Sequence, residues 1–360
     1  MPKRLTATAA AILGLLTAGP VLAREFILVP VRPDKLVVVD AEAMKIDKVI
    51  QLQDAGPLPQ TPVVNGDGTR AYVLMNRLES IAVVDLLTGE TIRRIDMNTG
   101  DERVKGMFGM DLSPDGKTLA VYQSPVRMLV DEFQVQPTRL AFYDAETGAL
   151  KSTAEVPRQI TLIAWSKDGS RIYGLGRDMH VFDSTGRQID QKPIHTWEAA
   201  TYSQPDLLDV WSQFEQSGVI AAPFYAARKD LPAGDPTAFR TALLTQDLET
   251  GEMRMQELEV ADIFYFSTAV SPTDKNRAFG AYNFLSSFDL EASKPIKRVP
   301  LPHSYYSVNV SSDGKTVWLG GALSDLAAYD AETLERKGEV RMPDGASISL
   351  ASVRMFRRED

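Results

Sequence analysis

The chain of 360 residues contains no cysteine. That absence excludes a disulfide framework, a thiolate nucleophile, cysteine-ligated zinc or iron–sulfur sites, and the CxxCH attachment of c-type haem. Histidine is almost as scarce: His180, His195 and His303 are all there are, and none pair at a short metal-ligand spacing. Three are too few for a copper–histidine cluster or for axial haem ligation of the usual kind. GxSxG, GxGxxG and P-loop patterns are missing, so neither a nucleophilic serine nor a nucleotide site has sequence support. Asp-Gly pairs are frequent, yet none extends into a DxDxDG ladder closed by a glutamate, and they read as turns. Beyond the N-terminus there is no long apolar run, so nothing inserts the mature chain into a membrane.

The N-terminus is different in kind. Lys3 and Arg4 precede the apolar run from Ala9 to Leu16, and Val21-Leu22-Ala23 supplies small residues at a cleavage position. The layout predicts a secretory signal over 1–23, export to the periplasm, and one mature domain over 24–360. Removing it leaves 37 Lys and Arg against 48 Asp and Glu, a net −11, which disfavours a nucleic-acid partner. With 44% hydrophobic and 24% charged residues, the composition is that of a soluble globular protein. A chain of this size buries roughly three quarters of its unfolded surface and needs no covalent staple.

What the sequence has in abundance is repetition. Between His303 and Met342, the apolar runs YSVNV, TVWLGG, LAAYD and KGEVRM alternate with turn residues. Ser311-Ser312-Asp313-Gly314 sets an acceptor before a glycine, the chemistry of a tight hairpin. The aspartate that closes the third run recurs at Asp40, Asp85, Asp144, Asp183, Asp247, Asp289 and Asp330, at intervals of 45, 59, 39, 64, 42 and 41 residues. A period near 40 with four short runs per unit predicts an all-β, seven-bladed β-propeller of four-stranded antiparallel blades. The chain begins with three strands, over 26–31, 35–40 and 48–52, and ends on one, over 347–356. Pairing the N-terminal strands with the C-terminal one closes the ring and removes its exposed edges.

The functional candidates are drawn from the segments that break the repeat, because loops on a rigid scaffold carry function. Those are 99–109, 124–137, 196–215 and 224–238, the last two flanking the blade whose SPDG turn is lost. They supply Phe108, Arg127, Phe133, Trp197 and Trp211 as residues to line a pocket or a partner interface. Phe264, Tyr265 and Phe266 lead into an inner strand, where alternation sends the two phenylalanines to one side and the tyrosine to the other. His303, Tyr305 and Tyr306 enter the last full blade; His180, inside HVFD, reads as packing between blades. No residue is assigned as catalytic, cofactor-binding or metal-binding. A metal-dependent lactonase-like propeller enzyme and a generic periplasmic interaction propeller both stay open on these residues.

Several long runs are more specific than blade grammar. RPDKLVVVD (32–40), RVKGMFGMDLSPDGKTLAVYQSPVR (103–127), FQVQPTR (133–139), PFYAARKD (223–230), FYFSTAV (264–270), FGAYNFLSSFDL (279–290) and KRVPLPHSYYSVNVSSDGKTVWLGGALSDLAAYDAETLE (297–335) together resemble the β subunit of quinohaemoprotein amine dehydrogenase, a propeller of the YVTN type. The resemblance implies a periplasmic αβγ heterotrimer that oxidises primary amines to aldehydes. It implies cysteine tryptophylquinone on the γ subunit and c-type haem on the α subunit, with no cofactor on this chain. A cysteine-free chain agrees with that division of labour.

Overall fold

The computed structural model describes residues 23–208 and 213–359; Trp211 and, Ala23 apart, the segment read as a secretory signal lie outside them. The described residues form seven antiparallel sheets arranged as the blades of a propeller, the fold that the repeat predicts. Blade 1 combines Arg24–Val31, Lys35–Asp40 and Lys45–Gln51 with Arg354–Arg358 as its innermost strand. Blades 2 to 7 follow in chain order over 60–96, 102–155, 162–192, 206–260, 265–300 and 307–341.

Local chemistry explains the recurrent residues. Backbone N–H groups in a tight reversal have no strand partner and need another acceptor. Asp85 Oδ1 accepts from the amides of Leu87 and Thr88, both at 2.8 Å. Asp247 does the same for Glu249 and Thr250, and Asp330 for Glu332 and Thr333. Bonds from the Thr147 amide and hydroxyl hold the Asp144 carboxyl down to about 2, and the Thr185 hydroxyl, with the Thr185 and Arg187 amides, does the same for Asp183. In the other hairpin, Ser311 Oγ donates to Asp313 Oδ1 (2.6 Å) and accepts from the Thr316 amide (2.9 Å). Gly314 takes φ +72°, and a Cβ there would lie 2.2 Å from Thr273 Oγ1 of blade 6, so the glycine is fixed by backbone conformation and by the neighbouring blade at once.

Each blade buries its two faces against its two neighbours. The core is accordingly divided into seven apolar clusters, one at each seam among the described residues. In the strand Arg24–Val31, alternation sends Ile27, Val29 and Val31 toward blade 7 and Phe26 and Leu28 toward blade 2. His180 belongs to this packing: it is 7% exposed and its ring stacks on Phe182 at 6.2 Å.

The ring closes by three strands plus one, with Phe26 opposite Phe356 and Arg24 opposite Arg358. The closing strand is Arg354–Arg358 rather than 347–356. Residues 343–345 form a 3-10 turn instead, and the following stretch is held by loop contacts, the Ile348 amide donating to the Leu323 carbonyl and the Leu350 amide to Gly321.

Blade 3 departs from the four-strand rule, and blade 5 keeps four strands of very unequal length. In blade 3 the second strand runs on from Thr118 to Met128, and the non-repeating segments 99–109 and 124–137 fold together on it. Glu102–Lys105 pairs with 124–127, and Phe133–Val135 pairs with 126–128, making a three-stranded flap. Blade 5 has long second and third strands, Val219–Ala227 and Phe239–Asp247, but an innermost strand of only Asp206–Leu207. Where its SPDG turn is lost, the chain crosses the propeller axis. Gln213 Oε1 accepts from Arg354 Nη1 (2.8 Å), Glu215 pairs with the same guanidinium (2.9 Å), and Gln216 donates to the Met355 carbonyl (3.0 Å). Blade 5 is thereby strapped to the closing strand of blade 1.

Candidate functional site

An up-and-down meander divides its turns between two faces. The turns between first and second strands and between third and fourth strands share one face, and these carry the SPDG-like and AETG-like sequences. The turns between second and third strands and the connectors between blades share the other. Of the non-repeating segments, 99–109, 124–137, the 196–205 part of 196–215 and the 228–238 part of 224–238 belong to this second set, as do Phe264–Phe266 and His303–Tyr306; residues 213–215 lie instead at the turn between the first and second strands of blade 5. One face of the molecule is regular and the other is specialised.

The candidates on the specialised face fall into three groups. On the flap of blade 3, Arg127 pairs with Asp101 at 2.7 Å, Phe108 is half-buried at φ +42°, and Phe133 is 71% exposed on the flap's edge strand. Val130 and Val135 are exposed beside it.

The second group is an aromatic array across blades 5, 6 and 7. Phe264 stacks on Tyr225 (5.3 Å), which stacks on Phe239 (5.9 Å); Phe264 meets the edge of Tyr282 (5.4 Å), and Phe266 and Tyr282 both reach Tyr306 (4.6 and 5.9 Å). Phe239 and Phe264 are the exposed members. Tyr265 turns the other way, as alternation requires, and is 1% exposed. Its hydroxyl accepts from Arg298 (2.6 Å) and donates to Glu259 (2.9 Å), while its amide donates to Tyr225 Oη (2.6 Å). Burial pushes the Tyr265 phenol far above its ordinary value. The half-buried ionic pair of Arg298 and Glu259 holds Tyr265, between the two phenylalanines, through its hydroxyl.

The third group sits on blade 7. Tyr305 is fully buried and donates to Asp325 Oδ2 (2.7 Å); His303 Nε2 lies 3.1 Å from Asp325 Oδ1 and its Nδ1 lies 2.9 Å from the Ser304 carbonyl. Both ring nitrogens are thus engaged inside the chain. Trp197 belongs to none of these groups: it stacks on Tyr202 (4.4 Å) and presents its edge to Phe224 (5.0 Å), packing the seam of blades 4 and 5.

Tyr225, Phe239 and Tyr282 complete the array and Asp111 marks the axis; none was singled out from the sequence. A charged residue inside the leading strand Met110–Leu112, just before SPDG, was the available signal for Asp111. Its carboxyl accepts from the amides of Trp165 (2.7 Å) and Leu112 (2.9 Å). Burial pushes it up to about 7, with the nearby Glu215 carboxylate adding to the shift and the Trp165 bond and Arg354 opposing it. Among the described residues, no three histidine, aspartate or glutamate side chains gather as a metal-binding group.

No family model matches the chain, and no curated protein matches it in sequence. Solved structures similar to it include Kuenenia stuttgartiensis hydrazine synthase, with a TM-score of 0.59 and 16% identity over 86% of this chain and 90% of that one. The dihydro-haem d1 dehydrogenase NirN, solved in complex with DHE, aligns with a TM-score of 0.55 and 14% identity over 96% of this chain and 77% of that one. Apo AztD from Citrobacter koseri aligns with a TM-score of 0.53 and 11% identity over 93% and 99%. At these identities the likeness is one of fold.

Proposed function

We propose that the chain is the non-catalytic propeller subunit of a periplasmic quinohaemoprotein amine dehydrogenase. In this reading, chemistry and electron transfer belong to a quinone-bearing small subunit and a haem-bearing subunit. The observation that supports it most is the division of the molecule into two faces: apart from the altered first turn of blade 5, the segments that break the repeat fall on one of them. The flap and the aromatic array on that face present exposed aromatic and aliphatic side chains, the composition of a protein-binding surface. The sequence runs that resemble the β subunit include most of that face, from the flap to the entrance of blade 7.

In this role the propeller contributes position rather than reactivity. Phe264, Phe266 and Tyr306 offer apolar contact, and the flap offers Phe133 and Val135. A partner seated there loses access to bulk water on that side.

The test is to purify the chain alone and in complex from its native source. The isolated chain is expected to be colourless and to reduce no dye with primary amines; the complex is expected to show haem bands and amine-dependent reduction. A quinone or haem spectrum on the isolated chain overturns the reading. So does cross-linking of the complex that finds only the SPDG face and outer strands.

A further inference from the structure

A cavity of about 550 Å³ lies where the connector from blade 4 to blade 5 meets the turns of blade 4, and the subunit reading makes no use of it. Its walls include Gln159, Arg177, His195, Gln204 and Asp206. His195 is oriented from behind: Nδ1 is 2.7 Å from Asp178 Oδ1. Asp178 is 4% exposed. Burial pushes its carboxyl up, but hydrogen bonds from the Ile194 amide (2.8 Å), the His195 side chain and amide, and Gln191 (2.7 Å) bring it down to about 2. An ionised Asp178 keeps a proton on Nδ1, so in the neutral ring Nε2 carries the lone pair. That atom has no partner among the described residues.

Arg177 stands in the turn beside Asp178, exposed and likewise without a hydrogen-bonding or ionic partner among the described residues. The wall below it is tightly built. Gln159 adopts φ +68°, uncommon for a residue with a side chain, and a Cβ on Gly176 would fall 2.2 Å from the Gln159 carbonyl oxygen. Backbone held in this way around unpaired polar groups is a mark of a binding site.

We propose that this cavity binds a small carboxylate that carries a hydroxyl or ammonium group on the adjacent carbon, that is, a 2-hydroxy or 2-amino acid. The Arg177 guanidinium matches the carboxylate as a two-pronged donor. His195 Nε2 and the Asp206 carboxylate are both acceptors and take the hydroxyl or ammonium protons. Asp206 also sets the selectivity, since a ligand with no proton donor beside its carboxylate meets a like charge in the same cavity with no hydrogen bond to offset it. The site is independent of the subunit reading and of any partner chain.

The chain's three histidines make the test direct, because each gives one imidazole Cε1–H signal in a proton NMR spectrum, and His195→Gln identifies its own by deletion. The full chain is titrated with L-alanine, L-phenylalanine and L-lactate, and with acetate and inorganic phosphate as comparisons. At least one of the first three is expected to shift the His195 signal saturably while those of His180 and His303 stay in place. Acetate and phosphate are expected to bind about tenfold more weakly, and Arg177→Gln to raise the Kd of the bound acid about tenfold. Three results overturn the proposal: no saturable shift with any of the three acids, phosphate binding more tightly than all of them, or an unchanged Kd in Arg177→Gln.

Discussion

Blade 7 and blade 5 are built from one template and show what keeping or breaking it does. Blade 7 retains the SSDG hairpin, the DAET corner and four strands of nearly equal length. Its side chains are spent on itself and its neighbours, and even its buried polar cluster of His303, Tyr305 and Asp325 is internally paired. Blade 5 has lost the hairpin, stretched its second and third strands to nine residues each, and kept two residues of inner strand. Its released chain goes to two places: across the axis to Arg354, and out onto the specialised face at Tyr225, Phe239 and the cavity below Arg177. The repeat specifies the ring; the breaks in it specify what the ring presents.

The strap offers the largest test of that difference. Arg354→Ala leaves Gln213 and Glu215 without their buried partner and is expected to cost about 3 kcal/mol, measured by denaturant unfolding. The solvent-exposed pair of Arg336 and Glu339 in blade 7 is expected to cost well under 1 kcal/mol on removal of Arg336. Equal losses would show that the crossing contributes nothing beyond an ordinary surface pair.

The next effect is in pH. Because the Asp111 carboxyl is raised in the folded chain, the fold binds more protons than the unfolded chain between the ordinary carboxyl range and about 7. The stability it contributes is full below that range and is lost as the pH climbs toward 7, by at most about 1.4 kcal/mol per pH unit. Asp111→Asn is expected to flatten this slope, as read from unfolding midpoints across the window. A slope unchanged by the substitution removes the axis from the account.

Two smaller effects sharpen the contrast. Gly314→Ala in blade 7 meets both positive φ and Thr273, and its loss is expected to exceed that of Gly234→Ala, which has positive φ with open space around it in the blade 5 loop, by about 1 kcal/mol. Phe239→Ser on the array is expected to change stability by no more than about 0.5 kcal/mol, since the side chain is half exposed. A thermal-melt loss several times larger would mean that the array serves the fold and not a partner.

The ring was legible because its signals are local. Asp-capped corners, Ser-Asp-Gly hairpins and alternating apolar runs each depend on residues a few positions apart, and the seven aspartates fall at the ends of seven third strands as their spacing requires. The alternation of Phe264, Tyr265 and Phe266 was legible for the same reason. What stayed hidden was long-range. Segments 102–105 and 133–135 become one flap only because a single strand between them extends past its blade, and the bond between Gln216 and Met355 joins residues far apart in the chain. The closing strand was displaced because 347–356 is as apolar as a leading strand, while pairing is decided by the partner's register at Phe26. His195 drew no notice because Asp178, the residue that orients it, lies in a different turn.

The strap to Arg354 has a consequence for how the protein is made. A chain released before that residue carries two faults together: an open edge along Phe26–Leu28, and two polar groups at the axis waiting for a guanidinium that never arrives. The closing strand is therefore held twice, by its pairing inside blade 1 and again from across the molecule by blade 5.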